Sequence, residues 1–372
     1  MKKVLFVATV AKHIEGFHTP YLKLFKENGY EVHVASNNDM NGMKYCDKYY
    51  DIGIKRSPIK LDNLRAIKKL RKIINEEEYD IVHCHTPMGG VIARIASYSS
   101  RKKNNTKVIY TAHGFHFYKG APILNWIIYY PIEKLLSFIT DKLIAINEED
   151  YNFALKKLNA KETFWIKGVG VNVNKFKKDI LLEEKQELYE ELDINTDDFI
   201  IIQVGELNKN KNQKMTIEAI NKLSENFNNI KVLFAGKGPL VEEYTNLVNQ
   251  YNINEKIRFL GYRNDVDKLM KISNILISTS FREGLPVNLI EAMASGLPIV
   301  CTNCRGNREL VKNDINGYVV EINDVDNMVE KVSIILKDSE KFKNFKENSL
   351  KLVDNYSLDS IMTEMKKIYE IR

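Results

Sequence analysis

Two glutamates, Glu283 and Glu291, stand eight positions apart in the run ILISTSFREGLPVNLIEAMASGLPIVCTN, residues 275–303. Ile275 to Thr279 is short, apolar and β-branched, so it reads as a strand. Ser280 to Leu285 reads as a polar loop. Pro286 suits the first turn of a helix, where its missing N–H costs nothing. Val287 to Ser295 continues that helix, Gly296 ends it, and Leu297 to Cys301 is the next strand. Glu283 then lies in a loop at the carboxyl end of a strand, and Glu291 lies about one and a half turns into the helix. Between them, Gly284, Leu285, Pro286 and Val287 open the helix. The N–H groups at that positive end are a natural seat for a phosphate. Such a site could hold a diphosphate on amides, with a carboxylate for hydroxyls on either side, as a nucleotide-sugar requires. On spacing alone, a solvated Glu283 and an ordinary surface Glu291 is the stronger reading.

Other residues capable of chemistry are more ambiguous. His83 and His85, in YDIVHCH, fall on one face of a strand by period two. Two histidines could ligate a metal, but the sequence shows no third ligand nearby, so packing is favoured. His113 stands where the strand Val108 to Ala112 runs out, at the edge where open α/β sheets bind ligands. By residue type it is either a buried structural histidine or a hydrogen-bonding group for a sugar or phosphate. Cys301 and Cys304 form a lone CxxC after a strand, which reads as packing and loop residues. Asp265-x-Asp267 and Asp324-x-Asp326 spell a metal-binding DxD, but both read as helix-start chemistry. No metal is expected.

These residues need a frame of alternating strands and helices. Lys3 to Thr9 is the first strand, followed by a loop from Val10 to His18 that contains Gly16, a helix to about Asn28, and a second strand, EVHVAS. No GxGxxG follows the first strand, so a nicotinamide or flavin cofactor has no support. Leu61 to Asn75 is a basic amphipathic helix with Leu64, Ile67, Leu70 and Ile74 as its apolar stripe. Further strands are Lys142 to Asn147 and Glu162 to Ile166. The polar, glycine-containing stretch Lys167 to Lys178 marks a linker. Phe199 to Val204, Lys231 to Ala235 and Ile257 to Leu260 open a second sheet. Each is followed by a glycine: Gly205, Gly236 and Gly261. Two doubly wound α/β domains follow, 1–170 and 171–355, and the last helix, 356–372, could pack back on the first.

Composition narrows the class. The chain has 372 residues, 44% hydrophobic and 28% charged, as expected of a globular protein. The start, MKKVLFVATVA, imitates a signal peptide, but Lys12, His13 and Glu15 follow at once, so a β-strand and a cytoplasmic chain are expected. Residues 1–172 hold 27 Lys and Arg against 17 Asp and Glu, and the remainder holds 28 against 32. A basic half beside an acidic half points to an anionic surface or substrate for one domain rather than to nucleic acid. The stretch FHFYKGAPILNWIIYYPIEKLLSF, residues 115–138, is crowded with aromatics. It fits a membrane-surface patch and a core helix equally well, and Gly120, Pro122 and Pro131 break it too much to span a bilayer.

The string Glu-Gly-Leu-Pro-x4-Glu-Ala-Met-Ala-x-Gly-x-Pro-x-Val, followed by Gly306 and Glu309, resembles the retaining nucleotide-sugar glycosyltransferases of family 4. The resemblance runs from about residue 1 to the C-terminus. It implies the GT-B fold, two Rossmann-like domains facing a cleft, with the donor mainly on the second and the acceptor on the first. It implies transfer of a hexose or N-acetylhexosamine from a nucleotide-sugar, by best guess a UDP-sugar, to a glycan or polyprenyl-linked saccharide. In such enzymes Glu291 would hold the ribose, and Glu283 and His113 would face the donor sugar. Gly16 would let backbone approach the diphosphate. Gly205 and Gly236 would line the donor site, and Tyr262 and Arg263 the base pocket. The family's Gly-Arg-Leu…Lys pattern is matched at Lys211, but Glu206 replaces the Arg, and Lys209 or Arg282 could supply the missing charge. No cofactor is implied. Peripheral contact with an anionic membrane is compatible with the basic first half. A nucleotide-sugar epimerase on the same fold and an inactive sugar-nucleotide-binding protein are the alternatives.

Overall fold

Most strands of this chain are apolar on both faces, which demands a parallel sheet covered by helices on each side. A computed structural model describes residues 1–37, 42–57 and 60–371. It divides into two compact units: Met1–Gly170 together with the residues from Ile361 onward, and Val171–Ser360.

The first unit holds β1 (Lys3–Val10), β2 (Glu31–Asn37), β3 (Lys48–Asp51), β4 (Ile81–His85), β5 (Lys107–Ala112), β6 (Lys142–Ala145) and β7 (Glu162–Trp165). They form one parallel sheet in the order β3-β2-β1-β4-β5-β6-β7. Val4 pairs with Val32 on one side and Ile81 on the other. The chain's direction of winding reverses between β1 and β4, the kind of switch point where open sheets bind ligands. Leu5, Val7, Val82 and Tyr110 pack with Ala66, Leu70 and Ile74 of the helix Asp62–Glu77 and with Ile92 and Ala93 of the helix Pro87–Ala96. The latter helix lies so close that a Cβ on Gly90 would enter the Tyr110 ring. From the same helix, the fully buried Arg94 forms a two-pronged pair with Glu133 at 2.8 and 3.0 Å and lies over the Tyr110 ring at 4.0 Å.

The second unit holds β8 (Phe199–Val204), β9 (Ile230–Ala235), β10 (Ile257–Gly261), β11 (Ile275–Ser278), β12 (Ile299–Thr302) and β13 (Gly317–Val320). Their order is β10-β9-β8-β11-β12-β13, all parallel, with the switch between β8 and β11. Ile201, Phe234, Ile277 and Val300 meet Ile217, Ile220 and Val332 of the covering helices.

Several local expectations change. Residues 11–17 form a helix, Ala11–Phe17, so Gly16 lies in a helix rather than a loop. Glycine and polar residues argue against helix locally; the fully buried Ala11 and Ile14 hold this one on tertiary contacts. Pro286 is the N-cap of the helix Val287–Ser295, with extended backbone, and not its first turn, while Gly296 ends that helix in the left-handed conformation as its type predicts. Leu64 is exposed, and Ala66 and Ile73 take buried places beside Leu70. The edge strand β3 was not foreseen, because KYYD is half exposed and lacks an apolar alternation. Pro131 sits inside a continuous helix, Ile123–Ser137. Trp126 and Tyr130 of that helix pack on Phe117 and Phe153, while Ile123, Leu124, Ile127 and Leu135 stay exposed. The segment is thus packed into the unit on one side and presents exposed apolar side chains on the other. Among the described residues no helix is long and apolar enough to cross a membrane.

Candidate active site

At the switch point of the second sheet, the loop after β8 and the loop after β11 are stitched together. Gln203 donates to the Thr279 hydroxyl at 2.9 Å, and that hydroxyl lies 2.9 and 2.8 Å from the carbonyls of Lys211 and Asn212. The Phe281 N–H donates to the Asn210 carbonyl, and the Asn210 amide to the Arg282 carbonyl. This stitching brings Lys211 to Glu283, whose side chains form an ion pair of 2.7 Å, both partly shielded from solvent.

Beside the pair begins the helix Val287–Ser295. No side chain among the described residues caps it. The Leu289 N–H donates to the Pro286 carbonyl, and the N–H groups of Val287 and Asn288 before it remain available to an anion. Asn288 donates to the Val204 carbonyl at 2.8 Å and locks the helix start to β8. Gly306 keeps the preceding loop in place from behind: a Cβ there would collide with the Gly284 carbonyl and the Pro286 ring. Glu291 follows on this helix, half-buried, and burial pushes its carboxyl up to about 7 against the pull of Lys175, which is itself paired with Asp267 at 2.9 Å.

The strand-end glycines form a tight row on neighbouring strands. A Cβ on Gly236 would strike the Gly205 carbonyl, and one on Gly238 would strike Leu207. Tyr262 and Arg263 come after β10, at the far edge of the sheet from β11. Tyr262 is 72% exposed. Arg263 is already engaged by Asp265 at 2.8 and 2.7 Å and by Glu191, which leaves less of its charge for a ligand. Asp265 occupies an N-cap position, as expected, but its carboxylate serves Arg263 instead of capping. Asp324 does cap its helix.

Glu206, at the position where the resembling family has arginine, is exposed and accepts a hydrogen bond from Asn208 at 2.9 Å. Lys209 and Arg282 are both exposed as well. Sequence reasoning missed Arg305. It is buried at the start of a helix, and its Nε donates to the Glu283 carbonyl at 3.3 Å. Its place directly before Gly306 was the available signal.

Gly16 and His113 belong to the first unit. A Cβ on Gly16 would meet nothing within 4 Å, so the fold itself does not demand glycine there. His113 is surrounded by histidines. Its Nε2 lies 3.3 Å from His13 Nε2 and 3.4 Å from His85 Nδ1, and His13 Nε2 lies 3.3 Å from His18 Nε2. The expectation that His85 lacks further ligands nearby therefore fails. Adjacent strand ends of β1, β4 and β5 converge there, which no local spacing reveals. Burial lowers His13 to about 4 and holds His18, His85 and His113 well below the usual histidine range, so all four are neutral imidazoles at pH 7. His83 is separately satisfied by the hydroxyls of Thr111 (2.8 Å) and Tyr369 (2.7 Å). Beside His13 opens a largely apolar cavity of about 620 Å³, bordered also by Met88, Val91, Tyr129, Ile132 and Glu133.

Comparison with known proteins adds an independent line. Residues 184–352 match the family model described as glycosyl transferases group 1, and residues 3–147 match one described as glycosyl transferase 4-like. The chain is 41% identical over 370 residues, 99% of its own length and 96% of the other's, to EpsD of Bacillus subtilis (strain 168), which carries a glycosyltransferase name. It is 28% identical over 315 residues, 83% of this chain and 80% of the other, to the UDP-Gal:alpha-D-GlcNAc-diphosphoundecaprenol alpha-1,3-galactosyltransferase of Escherichia coli. In structure it is similar to Anabaena HepE in complex with UDP-glucose, with a TM-score of 0.81 over 100% of both chains at 18% identity. That likeness supports the two-sheet GT-B fold.

Proposed function

The chain belongs to the glycosyl transferases of group 1, and we propose that it moves a hexose or N-acetylhexosamine from a UDP-sugar to a polyprenyl-diphosphate-linked saccharide, with retention at the anomeric carbon. The enzyme class rests on the family. The donor reading is carried by one observation: Lys211 and Glu283 are paired at the switch point, at the opening of an uncapped helix that carries Glu291. That arrangement suits a diphosphate held by one cation and backbone amides. Glu291 accepts the ribose hydroxyls. Glu283, released from Lys211 when the diphosphate takes its place, faces the donor sugar. Lys211 and the helix amides stabilise the charge that develops on the departing diphosphate.

A lipid-linked acceptor is supported by the specificity named for the Escherichia coli relative and by two features of the first unit. The cavity beside His13 is mostly apolar. The helix Ile123–Ser137 exposes Ile127 (64%) and Leu135 (69%), while Lys68, Lys69, Arg71 and Lys72 project from the helix Asp62–Glu77. Apolar insertion together with basic charge is how a protein lies on an anionic membrane.

Isothermal titration with UDP, GDP and dTDP in chelator, followed by assay of nucleoside diphosphate release from the matching sugars with a diphosphopolyprenyl-GlcNAc acceptor, tests the reading. Tight, chelator-insensitive UDP binding and acceptor-dependent release are expected. UDP binding that vanishes in chelator would overturn the clamp.

A further inference from the structure

The four histidines at the switch point of the first sheet share their ring nitrogens among more partners than single hydrogen bonds satisfy. A neutral imidazole nitrogen carries either one in-plane proton or one in-plane lone pair. His13 Nε2 faces both His18 Nε2 and His113 Nε2 at 3.3 Å, and His113 Nε2 also faces His85 Nδ1 at 3.4 Å. Each central nitrogen would thus have to serve two partners. At the outer side, His18 Nδ1 and His85 Nε2 are buried with no hydrogen-bond partner among the described residues.

The two 3.3 Å distances from His13 Nε2 to His18 and His113 fit a different occupant. Three imidazoles on one tetrahedral ion, with metal–nitrogen bonds of about 2.0–2.1 Å, hold their bonding nitrogens about 3.3–3.4 Å apart and their ring centres about 5 Å apart. The ring centres of His13, His18 and His113 are 5.1, 4.5 and 5.4 Å apart, with planes inclined at 57°, 85° and 67°. His85 stands differently. It stacks on His18 at 3.7 Å with planes only 23° apart, so those two rings cannot aim in-plane lone pairs at one point. Ligand atoms from all four residues nonetheless lie within 4.8 Å of one another.

We propose that His13, His18 and His113 form a binding site for a divalent transition-metal ion, with His85 stacked behind His18 as a positioning residue. The site is built at the carboxyl ends of β1 and β5, and His85 ends β4 between them. His13 and His113 are only half-buried, which leaves an entry path. His13 also borders the largely apolar cavity, and a three-histidine site keeps a fourth coordination position for water or a substrate oxygen. An all-imidazole donor set selects Zn²⁺, Co²⁺, Ni²⁺ or Cu²⁺ over Mg²⁺ or Ca²⁺. The inference is independent of the donor reading.

The full chain, stripped with chelator and dialysed, is titrated with Co²⁺, and the visible ligand-field absorption of the tetrahedral ion is followed. One equivalent should bind at micromolar concentration, be displaced by Zn²⁺ and be unaffected by excess Mg²⁺. His13→Ala and His18→Ala should abolish the band. His85→Ala should weaken binding by roughly 10–100-fold, the usual effect of an outer partner. His33→Gln, in the separate Glu31–His33–Glu77 group, should leave the band intact. Thermal melts of each variant identify any that fail to fold. X-ray absorption of the Zn²⁺-loaded wild type then supplies the ligand count, which should be three nitrogens. No cobalt band at micromolar Co²⁺, a band that survives His13→Ala, or a band lost with His33→Gln would overturn the proposal. None of these readouts needs nucleotide or turnover, so failure here is distinct from failure of the donor clamp.

Discussion

Lys211 Nζ lies 2.7 Å from Glu283 Oε1, although the two residues are 72 positions apart, one after β8 and the other after β11. The lysine proposed for the diphosphate is thus held by the carboxylate proposed for the sugar. Part-exposed pairs of this kind are worth only about 0.2–1 kcal/mol, so an incoming diphosphate can take the lysine over. Lys211→Met should weaken UDP binding about 10- to 100-fold, the loss of one charged hydrogen bond. Glu283→Gln should do the opposite, tightening UDP a few-fold, while lowering turnover by roughly a hundredfold or more. Titration calorimetry beside initial rates checks both; weaker UDP binding in Glu283→Gln would show that the pair does not compete with the ligand.

Glu291 predicts a pH dependence. Its carboxyl, ordinarily near 4.5, is raised to about 7, chiefly by burial, with Asp267 adding to and Lys175 opposing the rise. Between those two values the folded chain holds more protons than the unfolded one, so stability falls as pH rises from about 4.5 to about 7 and this contribution then levels off. A shift of this size corresponds to about 3 kcal/mol when solvent is fully excluded; the half-buried side chain should show about 1–2 kcal/mol. Glu291→Gln should flatten that part of the curve. Denaturation midpoints of both proteins at pH 5 and pH 8 give the comparison.

Gly306→Ala should distort the donor loop. The added methyl meets the Gly284 carbonyl oxygen at 2.6 Å and its carbon and Pro286 Cδ at 2.9 Å each, so the loop must shift. We expect a stability loss of about 1–3 kcal/mol and weaker UDP binding. Gly16→Ala, where a Cβ meets nothing, should leave stability within about 0.5 kcal/mol or raise it, since the site is helical.

Arg94 and Glu133 share the interior of the first unit, and Arg94 also donates to the Gly90 carbonyl at 2.9 Å. Glu133→Ala strands a buried guanidinium and should cost about 3–5 kcal/mol. The simultaneous change of Arg94 to Met should recover part of that loss. A urea-denaturation cycle over the two single variants and the double variant measures the coupling.

The exposed apolar helix face gives a further test. Wild-type protein should sediment with vesicles rich in phosphatidylglycerol and less with neutral ones. Ile127→Asp with Leu135→Asp should reduce binding at least tenfold without changing UDP affinity. Equal sedimentation of wild type and variant would remove this face from consideration.

How much of this was legible in advance follows physical lines. The helix Val287–Ser295 and its Gly296 end were readable, because helix limits are set by residues within a few positions. The strands that flank Glu283 were readable for the same reason. The helix holding Gly16 was not, since its local propensity is poor and its stability comes from burying Ala11 and Ile14. Nor was the engagement of Arg263 by Glu191, 72 residues away.

The sequence by itself determined the two α/β sheets and the family, both properties of local pattern and motif. Only the tertiary structure decided which of those residues meet. The strand orders β1-β4-β5 and β8-β11 bring together the ends of segments remote in the chain. Lys211 thereby reaches Glu283, and His13 reaches His113 across 100 residues. Side-chain convergence at a switch point depends on the order in which strands pair, and no spacing along the chain encodes that order.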